Sequence, residues 1–204
     1  MYPKITQTIQ ALLQEPLNHL VRDEIVQPLI DFVQKKVHAQ QPVNLHFICT
    51  HNSRRSHLSQ AWAQAAAAYF EVPRVYCYSG GTEETALFPL VAETLSDQGF
   101  HLSEIGKGVN PLYALKYDEN APPVVGFSKT FDHPFNPVSA FAAVMTCTQA
   151  DQGCPFIPGA EQRIPIPYED PKIADGTPGQ KQVYAERSLE IAREMMYVFS
   201  KIDL

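Results

Sequence analysis

The most constraining stretch of this chain is the apolar run Val43 to Ile48. It passes directly into Cys49-Thr50-His51-Asn52-Ser53-Arg54-Arg55 and then into the alanine-rich segment Ser56 to Phe70. A short, continuous apolar run reads as a buried strand, and an alanine-rich segment of this length as a helix. The loop between them enters a helix N-terminus, where backbone N–H groups are unpaired and the helix dipole adds about half a positive charge. A loop of this kind is built to hold an anion.

The same alternation continues downstream. Val75 to Ser79 reads as a second strand closed by Gly80-Gly81, and Thr85 to Gln98 as a helix ended by Gly99. Ala140 to Thr146 and Arg163 to Tyr168 read as two further strands, and Lys181 to Lys201 as a long closing helix. Strands alternating with helices predict a doubly wound α/β domain, a four-stranded parallel sheet with helices on both faces. Residues 111–137 break the rhythm. Leu112 to Tyr117 and Val124 to Lys129 flank a turn at Asp118 to Pro123, which predicts an inserted β-hairpin.

Residues 1–42 form a separate helical extension ahead of a catalytic unit at 43–204. Apolar residues recur at helical spacing at Ile5, Ile9, Leu12 and Leu13, at Leu17, Leu20 and Val21, and at Ile25, Leu29, Phe32, Val33 and Val37. Pro16 and Pro28 should break or kink this stretch into two or three short helices. Its apolar stripe is expected to pack on its own domain; the alternatives are a homodimer surface or a lid over the active site.

Net charge is -6 and no Lys/Arg stripe occurs, which argues against nucleic-acid binding. No stretch approaches the roughly 20 apolar residues of a bilayer span. Met1-Tyr2-Pro3-Lys4 opens no secretory signal, so a cytoplasmic protein is expected. In that compartment four cysteines point to catalytic or redox use rather than to a disulfide framework. Nothing in the sequence asks for a metal or an organic cofactor.

The loop residues define a chemistry. The field that attracts an anion also favours the thiolate of Cys49 over the thiol. Arg55 can bind two oxygens of a tetrahedral oxyanion bidentately, Ser56 can donate to the sulfur, and Thr50, His51, Asn52, Ser53 and Arg54 complete the cup. A thiolate facing a cradled oxyanion is arranged for in-line nucleophilic attack. The competing reading is a buried structural cysteine beside a solvated arginine pair.

The run Phe47 to Ser56 resembles the active-site loop of the low-molecular-weight protein tyrosine phosphatase superfamily, which includes the thioredoxin-coupled arsenate reductases. The likeness covers roughly residues 43–110 and 138–204. Tyr168-Glu169-Asp170-Pro171 resembles the family's Asp-Pro loop, which implies Asp170 as general acid, with Glu169 as the fallback. The segment from Val144 to Pro155, holding Cys147 and Cys154, resembles the redox segment of the reductases. Lys172 stands where the phosphatases usually carry a tyrosine.

The resemblance therefore implies thioredoxin-coupled reduction of arsenate to arsenite, in the service of arsenical resistance. Cys49, Cys147 and Cys154 would act in a disulfide relay. Its alternative is hydrolysis of phosphotyrosine or a small phosphomonoester through a phosphocysteine. A third reading is a non-enzymatic module that binds oxyanions or partners. Three positions depart from the family pattern. His51 replaces a glycine and either bears positive φ or reaches toward the pocket mouth. Arg54 replaces a frequent second cysteine and adds positive charge at the rim. Gln60 replaces the glutamate that joins residues like Asn52 and Ser79 around a monovalent cation in some reductases, which argues against a potassium site. Cys77, inside a strand, reads as an inert core thiol.

Overall fold

A computed structural model describes residues 1–14, 22–153 and 156–204. Pro16, Leu17, Leu20, Val21, Cys154 and Pro155, all used above, lie outside the described residues.

Four parallel strands build the central sheet: β1 (Val43–Cys49), β2 (Val75–Gly81), β6 (Phe141–Met145) and β7 (Ala160–Pro165). Their order is β2-β1-β6-β7. β1 and β6 are buried along nearly their whole length, as expected of strands covered on both faces. Helices α3 (Arg55–Tyr69), α4 (Pro89–Asp97) and α6 (Gln180–Ser200) join them in one core with Trp62, Phe47, Leu45, Tyr184 and Met195. The expected α/β domain with a four-stranded parallel sheet is the observed one.

Helices α1 (Pro3–Gln14) and α2 (Asp23–His38) belong to that core. Ile5, Ile9, Leu12, Val26, Leu29, Phe32 and Val33 are buried in the same cluster as Tyr184, Ile191 and Met195 of α6. Pro28 does not break α2, which runs through it. An interior proline costs a helix about 3 kcal/mol, whereas each fully buried large apolar side chain contributes about 1.5–3 kcal/mol. Val26, Leu29, Ile30, Phe32 and Val33 are all buried on α2, so packing wins.

The inserted hairpin is real but larger than expected. β4 (Leu112–Lys116) and β5 (Val124–Gly126) are antiparallel, and β3 (His101–Gly106) pairs with β4 to make a three-stranded sheet. β3 escaped detection because its side chains are exposed or half-buried throughout, without apolar alternation. α4 also starts later than Thr85. Pro89 occupies its first turn, and ahead of it the N–H groups of Glu83 and Phe88 donate to Thr50 O and Ser53 O of the loop after β1. No helix among the described residues is long and apolar enough to cross a membrane.

Candidate active site

In the sheet, the chain leaves β1 toward β2 on one side, while β6 lies on the other. The carboxyl ends of β1 and β6 therefore flank the point where the strand order reverses, which is where open α/β sheets bind ligands. Cys49 ends β1, and Ile48 pairs with Met145 at the end of β6, two residues before Cys147. Tyr168, after β7, donates its N–H to Thr146 O at 3.1 Å. Parallel pairing thus gathers residues 49, 147 and 168–170 at one sheet edge.

The loop after Cys49 is shaped by its carbonyls. Those of Cys49, Thr50 and Ser53 accept from the N–H groups of Thr82 (3.1 Å), Glu83 (2.8 Å) and Phe88 (3.0 Å). His51 O accepts from Thr85 Oγ1 at 2.9 Å and Ser128 Oγ at 3.0 Å. No N–H of residues 50–54 donates to any described residue. With every carbonyl tied to neighbouring segments, the amides remain available to an anion at the N-terminus of α3. Gly81 permits this close packing, because a Cβ there would lie 2.6 Å from Thr50 O and 2.7 Å from Asn52 N.

The left-handed residue of the loop is Asn52, at φ 43°, and not His51. Asparagine tolerates that region better than most residues because its short side chain bonds locally. Here Asn52 Oδ1 accepts from Lys129 N–H at 2.9 Å, which fixes the orientation of the amide. Its Nδ2 then donates to Ser56 Oγ at 2.8 Å. Ser56 Oγ lies 3.1 Å from Cys49 Sγ, and having accepted from Asn52 it has its own hydrogen to give to the sulfur. That is the bond a thiolate needs.

Beneath the loop lies a second buried layer. His57 Nε2 is 2.9 Å from Asn52 O, and its Nδ1 is 3.2 Å from Ser79 Oγ. Burial, with Lys129 nearby, holds the His57 pKa down at about 3, so the ring is neutral. Gln60 donates to Cys77 O at 3.0 Å, bracing the β2 edge. Burial pushes the Cys77 thiol pKa up, in keeping with an unreactive sulfur.

Arg55 is buried and faces two acceptors. Nη1 donates to Tyr168 O at 3.1 Å and Nη2 to Asp170 Oδ2 at 2.6 Å. Asp170 Oδ1 caps the short helix Pro171–Ala174 through Lys172 N–H, so Pro171 sets the turn that aims the carboxylate inward. Cys49, Ser53, Arg54, Arg55 and Asp170 line a single small cavity, with His51 at its edge. Arg54 differs from expectation. Its guanidinium binds Asp175 Oδ2 at 2.7 Å and Tyr184 Oη at 2.6 Å and lies 4.1 Å over the Phe88 ring, so Asp175 compensates its charge at the rim. The His51 ring does reach the mouth, with Nε2 3.6 Å from Glu83 Oε2.

A wider cleft of about 570 Å³ opens beside this cavity, lined by Arg55, Cys147, Glu169, Asp170, Lys172 and others. The Cys147 side chain is buried, 3.4 Å from Thr50 Oγ1, and accepts from Ala150 N–H of the short helix α5 (Thr148–Gly153) at 3.3 Å. No group of three or more His, Cys, Asp or Glu side chains among the described residues is placed to hold a metal ion.

Comparison with solved structures gives the fold a name. An arsenate reductase in a phosphate-binding state is similar over 79% of this chain and 99% of its own, at 16% identity and a TM-score of 0.50. A low-molecular-weight phosphotyrosine phosphatase from Vibrio cholerae O395 is similar over 78% and 94%, at 12% identity and a TM-score of 0.52. The chain has the low-molecular-weight phosphotyrosine phosphatase fold. YwlE from Bacillus subtilis, as a mutant, shares it over 78% and 97%, at 13% identity and a TM-score of 0.51. No protein-family model and no curated protein matches the sequence.

A phosphatase fold can host more than one chemistry, so the chemistry has to come from the side chains. Sequence reasoning missed three contributors to this site. Ser128 and Lys129, at the exit of the inserted sheet, back the loop, although in sequence they only close the run Val124 to Lys129. Arg22, ahead of α2, pairs with Glu194 through Nε (2.8 Å) and Nη2 (2.9 Å) and donates to Pro167 O at 2.7 Å. Glu194 also accepts from Tyr168 Oη at 2.7 Å. The N-terminal extension thereby holds the segment that carries Asp170.

Proposed function

We propose that this chain reduces arsenate to arsenite with a thioredoxin-like dithiol as electron donor. The supporting observation is the placement of Cys147: a buried sulfur two residues past the end of β6, the strand paired with that of Cys49, in contact with Thr50 of the loop and lining the cleft beside Arg55 and Asp170. Phosphate-ester hydrolysis has no use for such a sulfur.

The loop amides and Arg55 bind the oxyanion, and the Cys49 thiolate attacks arsenic. When the oxyanion claims Arg55, Asp170 loses its ion-pair partner and carries a proton to the oxygen that leaves as water. Cys147 then attacks Cys49 Sγ. The sulfur–arsenic electron pair stays with arsenic, arsenite departs, and a Cys49–Cys147 disulfide forms. Cys154 attacks Cys147, freeing Cys49, and the Cys147–Cys154 disulfide passes to the external dithiol. In this scheme α5 must unwind. Its helical rise of about 1.5 Å per residue would separate residues seven apart by about 10 Å, against the 4.4–6.8 Å between bridged Cα atoms.

The alternative is a tyrosine or small-phosphomonoester phosphatase that uses Cys49, Arg55 and Asp170 alone. Thioredoxin-coupled arsenate turnover and para-nitrophenyl phosphate hydrolysis, measured on wild type, Cys49→Ser and Cys147→Ser, separate the two. Arsenate turnover abolished by either substitution supports the reductase. Hydrolysis that survives Cys147→Ser, in a protein that does not turn over arsenate, overturns it.

A further inference from the structure

Lys129 is fully buried, yet its ammonium has no carboxylate partner in any ion pair among the described residues. Nζ lies 3.2 Å from Phe127 O and 3.4 Å from Ser79 Oγ, with the Phe127 and Phe135 ring centroids at 4.3 and 5.5 Å. Burying an unpaired cation opposes folding, and burial alone pulls the pKa of this lysine down from 10.5 to about 7. The titratable groups that face it are His46 of β1 and His57 of α3, and burial keeps both neutral.

Two hydrogen-bond routes run from Lys129 to Asn52. The first is direct, from its own N–H to Asn52 Oδ1. The second starts at Nζ, which as an ammonium has only hydrogens to give. Ser79 Oγ must accept from it and turn its own hydrogen to His57 Nδ1. His57 then carries its hydrogen on Nε2 and donates to Asn52 O. The reversed tautomer would set a lone pair against that carbonyl oxygen at 2.9 Å.

We propose that Lys129 is a positioning residue for the nucleophile: its ammonium orders this chain, holds Asn52 in the left-handed geometry, and so keeps the Ser56 hydroxyl on Cys49. The role rests on Cys49 being the nucleophile of the cup, but not on which oxyanion it attacks. It uses a charge, so it is strongest well below pH 7 and fades as pH rises through about 7, where Lys129 loses its proton.

The test is the rate of iodoacetamide alkylation at Cys49, read by peptide mass spectrometry, in wild type, Lys129→Met and Lys129→Ala. Protection of wild-type Cys49 by arsenate or phosphate checks the underlying site separately. We expect Lys129→Met to fold with equal or higher thermal stability and to react about tenfold more slowly at pH 6.5, with the gap closing toward pH 8.5. Methylammonium should restore part of the rate to Lys129→Ala and none to Lys129→Met, whose side chain fills the site. A wild-type rate in Lys129→Met, or a slow rate with no pH dependence and no methylammonium rescue, overturns the role. In both cases protection of wild-type Cys49 by oxyanion would still leave the site assignment standing.

Discussion

Arg55 and Asp170 are ion-paired at 2.6 Å, so the group read as oxyanion ligand and the group read as general acid neutralise one another. Asp170 also competes with substrate for the guanidinium. In the proposed reaction an oxyanion held by Arg55 takes the place of this carboxylate.

Asp170→Ala should therefore separate binding from turnover. Phosphate or arsenate affinity, measured by titration calorimetry, should rise about threefold to tenfold because Arg55 is freed. Turnover should fall about 10²-fold or more through loss of the proton donor. Weaker oxyanion binding in this variant would count against the competition.

Arg22→Met should destabilise the protein through Glu194, whose side chain is 1% exposed and would lose its counter-charge. Stranding a buried charge costs about 3–5 kcal/mol, and the 33% exposure of Arg22 lowers the expectation to about 2 kcal/mol. That corresponds to a Tm drop of about 6 °C for a chain of this size. Turnover should fall further than stability explains, because Tyr168 and Pro167 lose the brace that leads to Asp170. An unchanged melting curve would refute the first part.

His46 sits fully buried on β1 with neither ring nitrogen hydrogen-bonded, and burial, then the charge on Lys129, lowers its pKa from 6.5 to about 3. Below pH 6.5 the unfolded chain takes up protons that the folded chain refuses, so stability falls as pH drops from 6.5 toward 3. His57 acts in the same direction. His46→Leu should weaken this dependence, gaining more in urea midpoint at pH 5 than at pH 8. An equal shift at both values would show that the histidine is not held neutral.

Oxidation should be visible in α5. Hydrogen exchange over residues 148–153 should be slow in the reduced protein and at least about tenfold faster after stoichiometric oxidation, because residues 147 and 154 cannot be bridged while 148–153 stay helical. Equal protection in both states would remove the relay and leave the phosphatase reading.

How much of this was legible beforehand depended on where the signal was stored. The strand, loop and helix around Cys49 could be read locally: a buried strand announces itself by an apolar run, a helix by alanine, and the loop by what stands between them. β3 could not, since its side chains carry no apolar alternation and only pairing with β4 makes it a strand. Pro28 misled because helix propensity is weaker than the burial of five apolar neighbours on α2. The compensation of Arg54, and which of its two expected roles His51 takes, could not be read because the fate of a loop side chain is decided by partners distant in sequence, Asp175 and Tyr184 for one and Glu83 for the other.

By itself the sequence determined the layer architecture and the Cys49 loop, since both follow from periodicity and from residues next to one another. Only the tertiary structure decided what surrounds the sulfur. Hydrogen bonds and charges act through space over a few ångströms, and Lys129 comes within reach of Ser79, and Arg22 of Glu194, only once the sheet and α6 have folded.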